Sequence, residues 1–179
     1  RFGSFFVTTG RNRSIQSISR GMTSMYGKIL VPIDDISSAG LALDQAKNLA
    51  KSNGASVVVM HVVTPDNPLL THDEHVAGVH AAPQIVEMAQ QEEQAHFEAE
   101  TAEIQPAIDS LKSDGVDASM LVIMGNAHNE IVRVVNEQNV DLVILSTHGR
   151  RGVSRALLGS VADEVVHDVG VPVMIVRRS

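Results

Sequence analysis

Asp141-Leu-Val-Ile-Leu-Ser146 leads into Thr147-His-Gly-Arg-Arg-Gly-Val-Ser-Arg-Ala-Leu-Leu-Gly159, and then into Ser160-Val-Ala-Asp-Glu-Val-Val-His-Asp-Val169. The first piece is a short, β-branched apolar run closed by polar residues, which reads as a strand buried on both faces. The third has Val161, Val165 and Val169 at helical spacing along one face. Val171-Pro-Val-Met-Ile-Val176 follows as another buried run. Strand, crossover helix, strand is the unit of a parallel sheet.

The same alternation runs back through the chain. Lys28-Ile-Leu-Val-Pro-Ile33 is an apolar run that ends on Asp34-Asp35. Ser37 or Ser38 is placed to cap the helix that follows, which carries Leu41, Ala42, Ala46, Leu49 and Ala50. Asn53-Gly54 stops it. Val57 to Val63 is a second strand. Residues 64–83 form a polar loop with Pro65, Pro68 and Pro83. Gln84 to Lys112 reads as helix, with Pro106 expected to kink or restart it. Asp117 to Met124 is a third strand, followed by Gly125-Asn126 and a helix over Glu130 to Glu137. Strands alternating with helices predict an α/β fold: a doubly wound, open, five-stranded parallel sheet with right-handed crossovers and helices on both faces.

Composition agrees with one domain. The chain has 179 residues, 44% hydrophobic and 20% charged. No window approaches the roughly 18 consecutive apolar residues of a membrane helix, so no membrane partner is expected. Cysteine is absent, which excludes disulfides, thiolate metal sites and cysteine catalysis. With no tryptophan and 3% aromatics there is little to stack bases on. Residues 1–24 hold four arginines and no acid, so the remaining ten basic residues face all 21 acids, a net charge of −11. Such a domain repels a nucleic-acid backbone, and none is expected as partner. Residues 1–24 read as a leader outside the domain of 25–179. Their arginine- and serine-rich composition fits either an organelle-targeting segment or an appended, mistranslated extension ahead of a start at Met22 or Met25.

Ligands of such sheets sit beyond the carboxyl ends of the strands, where the strand order reverses. Gly149 and Gly152 allow close backbone approach there. Gly159-Ser160 opens a helix whose free amides favour an anion. Arg150, Arg151 and Arg155 are the only cationic cluster between Lys28 and the carboxyl end, and a phosphate would account for them. His148 lies in the same loop. Against this, Gly159 also suits a plain turn, and Ser160 with Asp163 also suits a capping box. The acids at 163 and 164 disfavour a phosphate. Spacing alone leaves both readings open. Asp34 is placed to meet a ribose hydroxyl, an adenine amino group or magnesium, while Asp35 caps the first helix. His61, inside an apolar run, reads as a satisfied core histidine. His72, His75 and His80 with Asp73 and Glu74 fit no compact zinc spacing, so no metal is expected there. No Walker loop, nicotinamide-binding glycine turn, hydrolase triad or nucleophile elbow is present.

These stretches resemble the universal stress protein family over about residues 26–178. The opening Lys-Ile-Leu-Val-Pro-Ile-Asp, the loop Ser146 to Val161 and the closing Val-Pro-Val-Met-Ile-Val carry the resemblance. The family's glycine motif is matched by Gly149, nine intervening residues, Gly159 and Ser160, whereas its first glycine is Ser146 here. The resemblance implies a Rossmann-like sheet of order 3-2-1-4-5 and an ATP site. Pro32, Asp34 and Val62 then lie near adenine and ribose, Gly125 beside the cleft, and Ser146, Gly149, Gly159, Ser160 and Val161 around ribose and phosphates. His148, Arg151 and Gly152 join them on loop chemistry.

The expected ligand is ATP, with AMP or ADP as alternatives and magnesium as an optional companion. No catalytic residue is assigned, and binding rather than turnover is expected, with at most slow ATP hydrolysis. The resemblance implies a cytoplasmic stress-response or regulatory role with a regulatory protein partner that the sequence does not name. The rivals are an ATP-using enzyme of the same superfamily, whose strand-one Ser-Gly-Gly loop is replaced here by Pro-Ile-Asp-Asp, and a nucleotide-free interaction module. The final apolar strand, at a sheet edge in the implied order, is a template for pairing with its own copy, so a homodimer through 171–177 is expected.

Overall fold

The computed structural model describes residues 24–64, 83–147 and 159–177. Nine elements alternate along them: β1 Lys28–Ile33, α1 Ile36–Asn53, β2 Ser56–Val63, α2 Pro83–Ser113, β3 Ala118–Met124, α3 Ala127–Glu137, β4 Leu142–Thr147, α4 Ser160–Asp168 and β5 Val173–Arg177. The strands form one sheet of order β3-β2-β1-β4-β5. Every neighbouring pair is parallel.

Period-two alternation sends successive side chains of β1 to opposite faces. Ile29, Val31 and Ile33 enter a core with Ala39, Ala42 and Ala46 of α1 and with Ile104 and Ile108 of α2. Leu30 enters a second core with Ile131, Val134 and Val135 of α3 and Val165 of α4. Both faces of the sheet are therefore covered, as the unbroken apolar runs require.

Local chemistry sets the boundaries. Asp35, rather than Ser37 or Ser38, caps α1: its Oδ1 accepts from the N–H of Ser38 at 3.0 Å. Gly54, at φ +70°, ends α1 and donates its N–H to Ala50 O. α3 starts at Ala127, three residues before the expected Glu130, because the Asn126 side chain accepts from the N–H of Asn129. β5 starts at Val173, not Val171. Pro172 has no N–H to give the ladder, although its carbonyl accepts from Val143 N–H at 3.0 Å.

α2 runs unbroken through Pro106, so the expected restart does not occur. A mid-helix proline costs about 3 kcal/mol. The neighbouring Ile104 and Ile108 are both buried, and such side chains contribute about 1.5–3 kcal/mol each, enough to hold the helix through it. Among the described residues no helix is long and apolar enough to cross a membrane.

Candidate functional site

The sheet parts where its strand order reverses. β1 pairs with β2 along its whole length, from Lys28↔Ser56 to Ile33↔His61. With β4 its register holds only Ile29↔Leu142 and Leu30↔Val143, while β4 continues beside β5 as far as Thr147↔Arg177. Past Leu30, then, β1 and β4 are no longer ladder partners. The ladder thus stops short of their carboxyl ends, the position where doubly wound sheets hold ligands.

Asp34 stands exposed at the end of β1, directly after buried Ile33. Pro32 and Val62 are half-buried. Strand alternation puts them on one face, since Val62 packs against the core that holds Leu30. Ser146, also half-buried, continues the alternation of Leu142 and Ile144 and so belongs to the opposite face. Beside β3, Gly125 adopts φ +154°, and a Cβ there would stand 3.1 Å from Glu130 Cγ. Its N–H donates to Val63 O at 3.0 Å, joining the ends of β2 and β3. The positive φ favours glycine at this bend, and an added Cβ would also crowd the Glu130 side chain.

α4 connects parallel strands, so it runs back from their carboxyl ends and begins on that side of the sheet. Its N-cap is Gly159, with no side-chain cap, so the capping box that was one of the two readings of Ser160 and Asp163 does not form. The first free intrahelical bond is Asp163 N–H to Gly159 O at 2.9 Å. The amides of Ser160, Val161 and Ala162 precede it and have no intrahelical acceptor, a donor set suited to an anion. Gly159 has φ −55°, which any residue adopts. Among the described residues nothing lies within 4 Å of a Cβ built there. Neither conformation nor the described packing calls for glycine at 159.

Val161 was expected on the apolar face of α4. It is instead 36% exposed, and Ala162 and Val165 supply the buried face. His148, Gly149, Arg151 and Gly152, the cations Arg150 and Arg155, and the histidine loop of 72–80 lie outside the described residues. Among the described residues no three His, Asp or Glu side chains are grouped to hold a metal ion.

Two constellations escaped sequence reasoning. His61 is buried, as expected, but both its ring nitrogens are engaged: Nδ1 lies 3.1 Å from Ile33 O and Nε2 lies 3.4 Å from Glu100 Oε2. His128 of α3 meets Asp168 of α4 at 2.7 Å. The only signal for the first was the spacing of Glu100 from Phe97 and Ile104, three and four residues away on the buried face of α2. Nothing in the sequence pointed to the second.

The sequence model described as the universal stress protein family matches residues 25–177. The chain belongs to the universal stress protein family. Universal stress protein MJ0577 of Methanocaldococcus jannaschii is 28% identical over 163 residues, covering 88% of this chain and 98% of the relative. The solved structure of MJ0577 superposes with a TM-score of 0.68 at 24% identity, over 87% of this chain and 98% of that one. A universal stress protein solved in complex with cAMP gives 0.58 at 21% identity, over 86% and 98%. The universal stress protein of Archaeoglobus fulgidus in complex with dAMP gives 0.54 at 19%, over 84% and 98%. At these identities the solved structures share the universal stress protein fold with this chain.

Proposed function

We propose that this universal stress protein binds an adenine nucleotide, ATP foremost, in the crevice between β1 and β4, and that it acts as a nucleotide-responsive regulatory protein rather than a fast catalyst. The observation that carries the reading is the β1–β4 ladder that stops after Leu30↔Val143, flanked by Asp34 and the uncapped start of α4. Asp34 is the acceptor for ribose or adenine donors and the carboxylate a magnesium ion would meet. The amides after Gly159 are donors for a phosphate. Pro32 and Val62 offer apolar surface to the base. Ser146 puts a hydroxyl where the family motif has glycine, a hydrogen-bond partner for a ribose in place of open backbone. The cAMP and dAMP complexes of fold neighbours support an adenine nucleotide as the ligand class.

The reading includes a homodimer. β5 pairs only with β4 in the sheet, and Ile175 is exposed on it, so antiparallel pairing with a second copy would satisfy its open edge. The test of the nucleotide is direct. Protein purified without added nucleotide is denatured, and the released small molecules are identified by mass spectrometry, with ATP titration of the emptied protein by calorimetry. ATP, ADP or AMP at near-stoichiometric yield and saturable binding are expected. Absence of both overturns the reading in favour of a nucleotide-free interaction module.

A further inference from the structure

The face of α2 that packs on the sheet is apolar at Phe97, Ile104, Ile108 and Leu111. Glu100 interrupts it, one turn from Phe97 and one from Ile104, and meets His61. His61 is the one buried polar residue among those described. A buried histidine against a half-buried glutamate, at the end of β1 that carries Asp34, calls for a physical account.

Donor and acceptor counting supplies it. The carbonyl of Ile33 only accepts, and the Glu100 carboxylate only accepts. His61 Nδ1 faces the first at 3.1 Å and Nε2 faces the second at 3.4 Å. The doubly protonated ring donates to both. A neutral ring has one N–H and must abandon one of the two, and the charged carboxylate is the stronger acceptor. The bond that weakens on deprotonation is therefore the one to Ile33 O, and Ile33 immediately precedes Asp34. No other ion pair reaches the ring among the described residues. β3 presents uncharged Val122 beside His61, α1 turns alanines to this core, and Asp34 makes no ion pair with it. On α2 the second oxygen of Glu100 is 3.3 Å from Nε2 of exposed His96, so one carboxylate stands between two imidazoles.

We infer that His61 is a positioning residue for the Ile33–Asp34 turn and that its second ring proton, shared with Glu100, tunes nucleotide affinity with pH. The inference rests on the nucleotide reading above and adds its regulation. At acidic pH the ring ties α2 to the end of β1 and holds Asp34 toward the crevice. As pH rises and the ring loses a proton, the Ile33 carbonyl is released and nucleotide binding weakens.

Two measurements on the full chain test this. In the first, without ligand, nitrogen-15 spectra follow the His61 ring and the Asp34 amide from about pH 5.5 to 8, the range in which histidines titrate. The Asp34 amide is expected to move with the His61 ring, and an Asp34 amide that ignores the ring overturns the inference. In the second, ATP is titrated at both ends of that range. The wild-type dissociation constant is expected to rise about fivefold more than that of His61→Asn. The asparagine amide still donates to Ile33 O but does not titrate, and ATP's own titration is common to both proteins. Equal pH slopes overturn the inference. Glu100→Gln, whose amide can donate to Nε2 of the neutral ring and leave Nδ1–H for Ile33 O, is expected to keep wild-type affinity at the acidic end and to bind ATP more tightly than wild type at the alkaline end; a pH slope equal to the wild type's counts against the inference. Coupled ring and amide titration in a protein that binds no ATP at any pH rejects the nucleotide reading while leaving the positioning role intact.

Discussion

Lys28 and Asp141 hold each other reciprocally at the amino end of the sheet. The N–H of Lys28 donates to Asp141 Oδ2 at 2.9 Å, and the N–H of Asp141 donates to Lys28 O at 2.9 Å. The same Oδ2 accepts from Gly27 N–H at 2.8 Å, and Lys28 Nζ reaches Gln138 O at 2.8 Å. β1 and β4 are thus fastened together at one end and part at the other.

Asp141→Ala removes the acceptor of two main-chain donors. These bonds are solvent-exposed, so a loss of about 1 kcal/mol is expected from urea denaturation, with the circular dichroism of the folded protein unchanged. An unaltered midpoint would mean that the fastening contributes nothing.

Gly159→Val adds a side chain where the described residues leave open space. The folded protein is expected to keep its melting temperature within a few degrees and to lose ATP binding by calorimetry. Retained affinity removes the α4 amides from the phosphate site.

Gly125→Ala is the contrasting change. φ +154° and the nearby Glu130 side chain oppose any Cβ, and a loss of about 1–2 kcal/mol in chemical denaturation is expected. A neutral result would show that the end of β3 relaxes freely.

Asp35→Ala removes the cap of α1, at a cost of about 1 kcal/mol at neutral pH. The Ser37 hydroxyl foremost, then the hydroxyl and N–H of Ser38, hold the Asp35 carboxyl below its ordinary 3.8. A carboxyl lowered in the folded state stabilises it above the unfolded value, and that stability is lost as pH falls through the folded one. The gap between wild type and Asp35→Ala in urea is therefore expected to close as pH falls below the ordinary carboxyl value. A gap independent of pH would assign the cap to other groups.

Ile175→Lys places a charge on the open edge of β5 and is expected to turn a dimer into a monomer by light scattering, with helix content preserved. Met174→Lys is the harsher test, because Met174 packs against the α1-side core and its loss also lowers stability. A wild-type protein that is monomeric at micromolar concentration rules out this interface.

The strands were legible because a sheet covered on both faces needs unbroken apolar runs, and five such runs stand out in the sequence. Strand order came from the family resemblance, since runs of similar composition carry no mark of their neighbours. At the site, Asp34 and Gly159–Ser160 were legible as an acid after a strand and a glycine before a helix. Glu100 was not. In a helix rich in Glu and Gln it reads as one more solvated acid, and its pairing with His61 depends on a distant strand that the local sequence does not mark. The α4 cap was open for a similar reason: a serine three residues before an acid also looks like a capping box, and only the backbone shows that Gly159 is the cap and Ser160 the first helical residue.

α1 lies across β1 and β4 together, over the seam where they part, and it meets the sheet through Ala39, Ala42, Ala46 and Ala50. Methyl groups have no rotamers to adjust, so at these four positions the spacer between helix and sheet is thin, with Ile36, Leu43 and Leu49 packing at its margins. The height of the turn bearing Asp34 and Asp35 above the seam is then gauged by the backbone of α1 itself, to a tolerance smaller than one added methylene. A single Ala42→Val exchange at this fully buried position would act as a shim, lifting the helix from the sheet and carrying the turn that bears Asp34 with it.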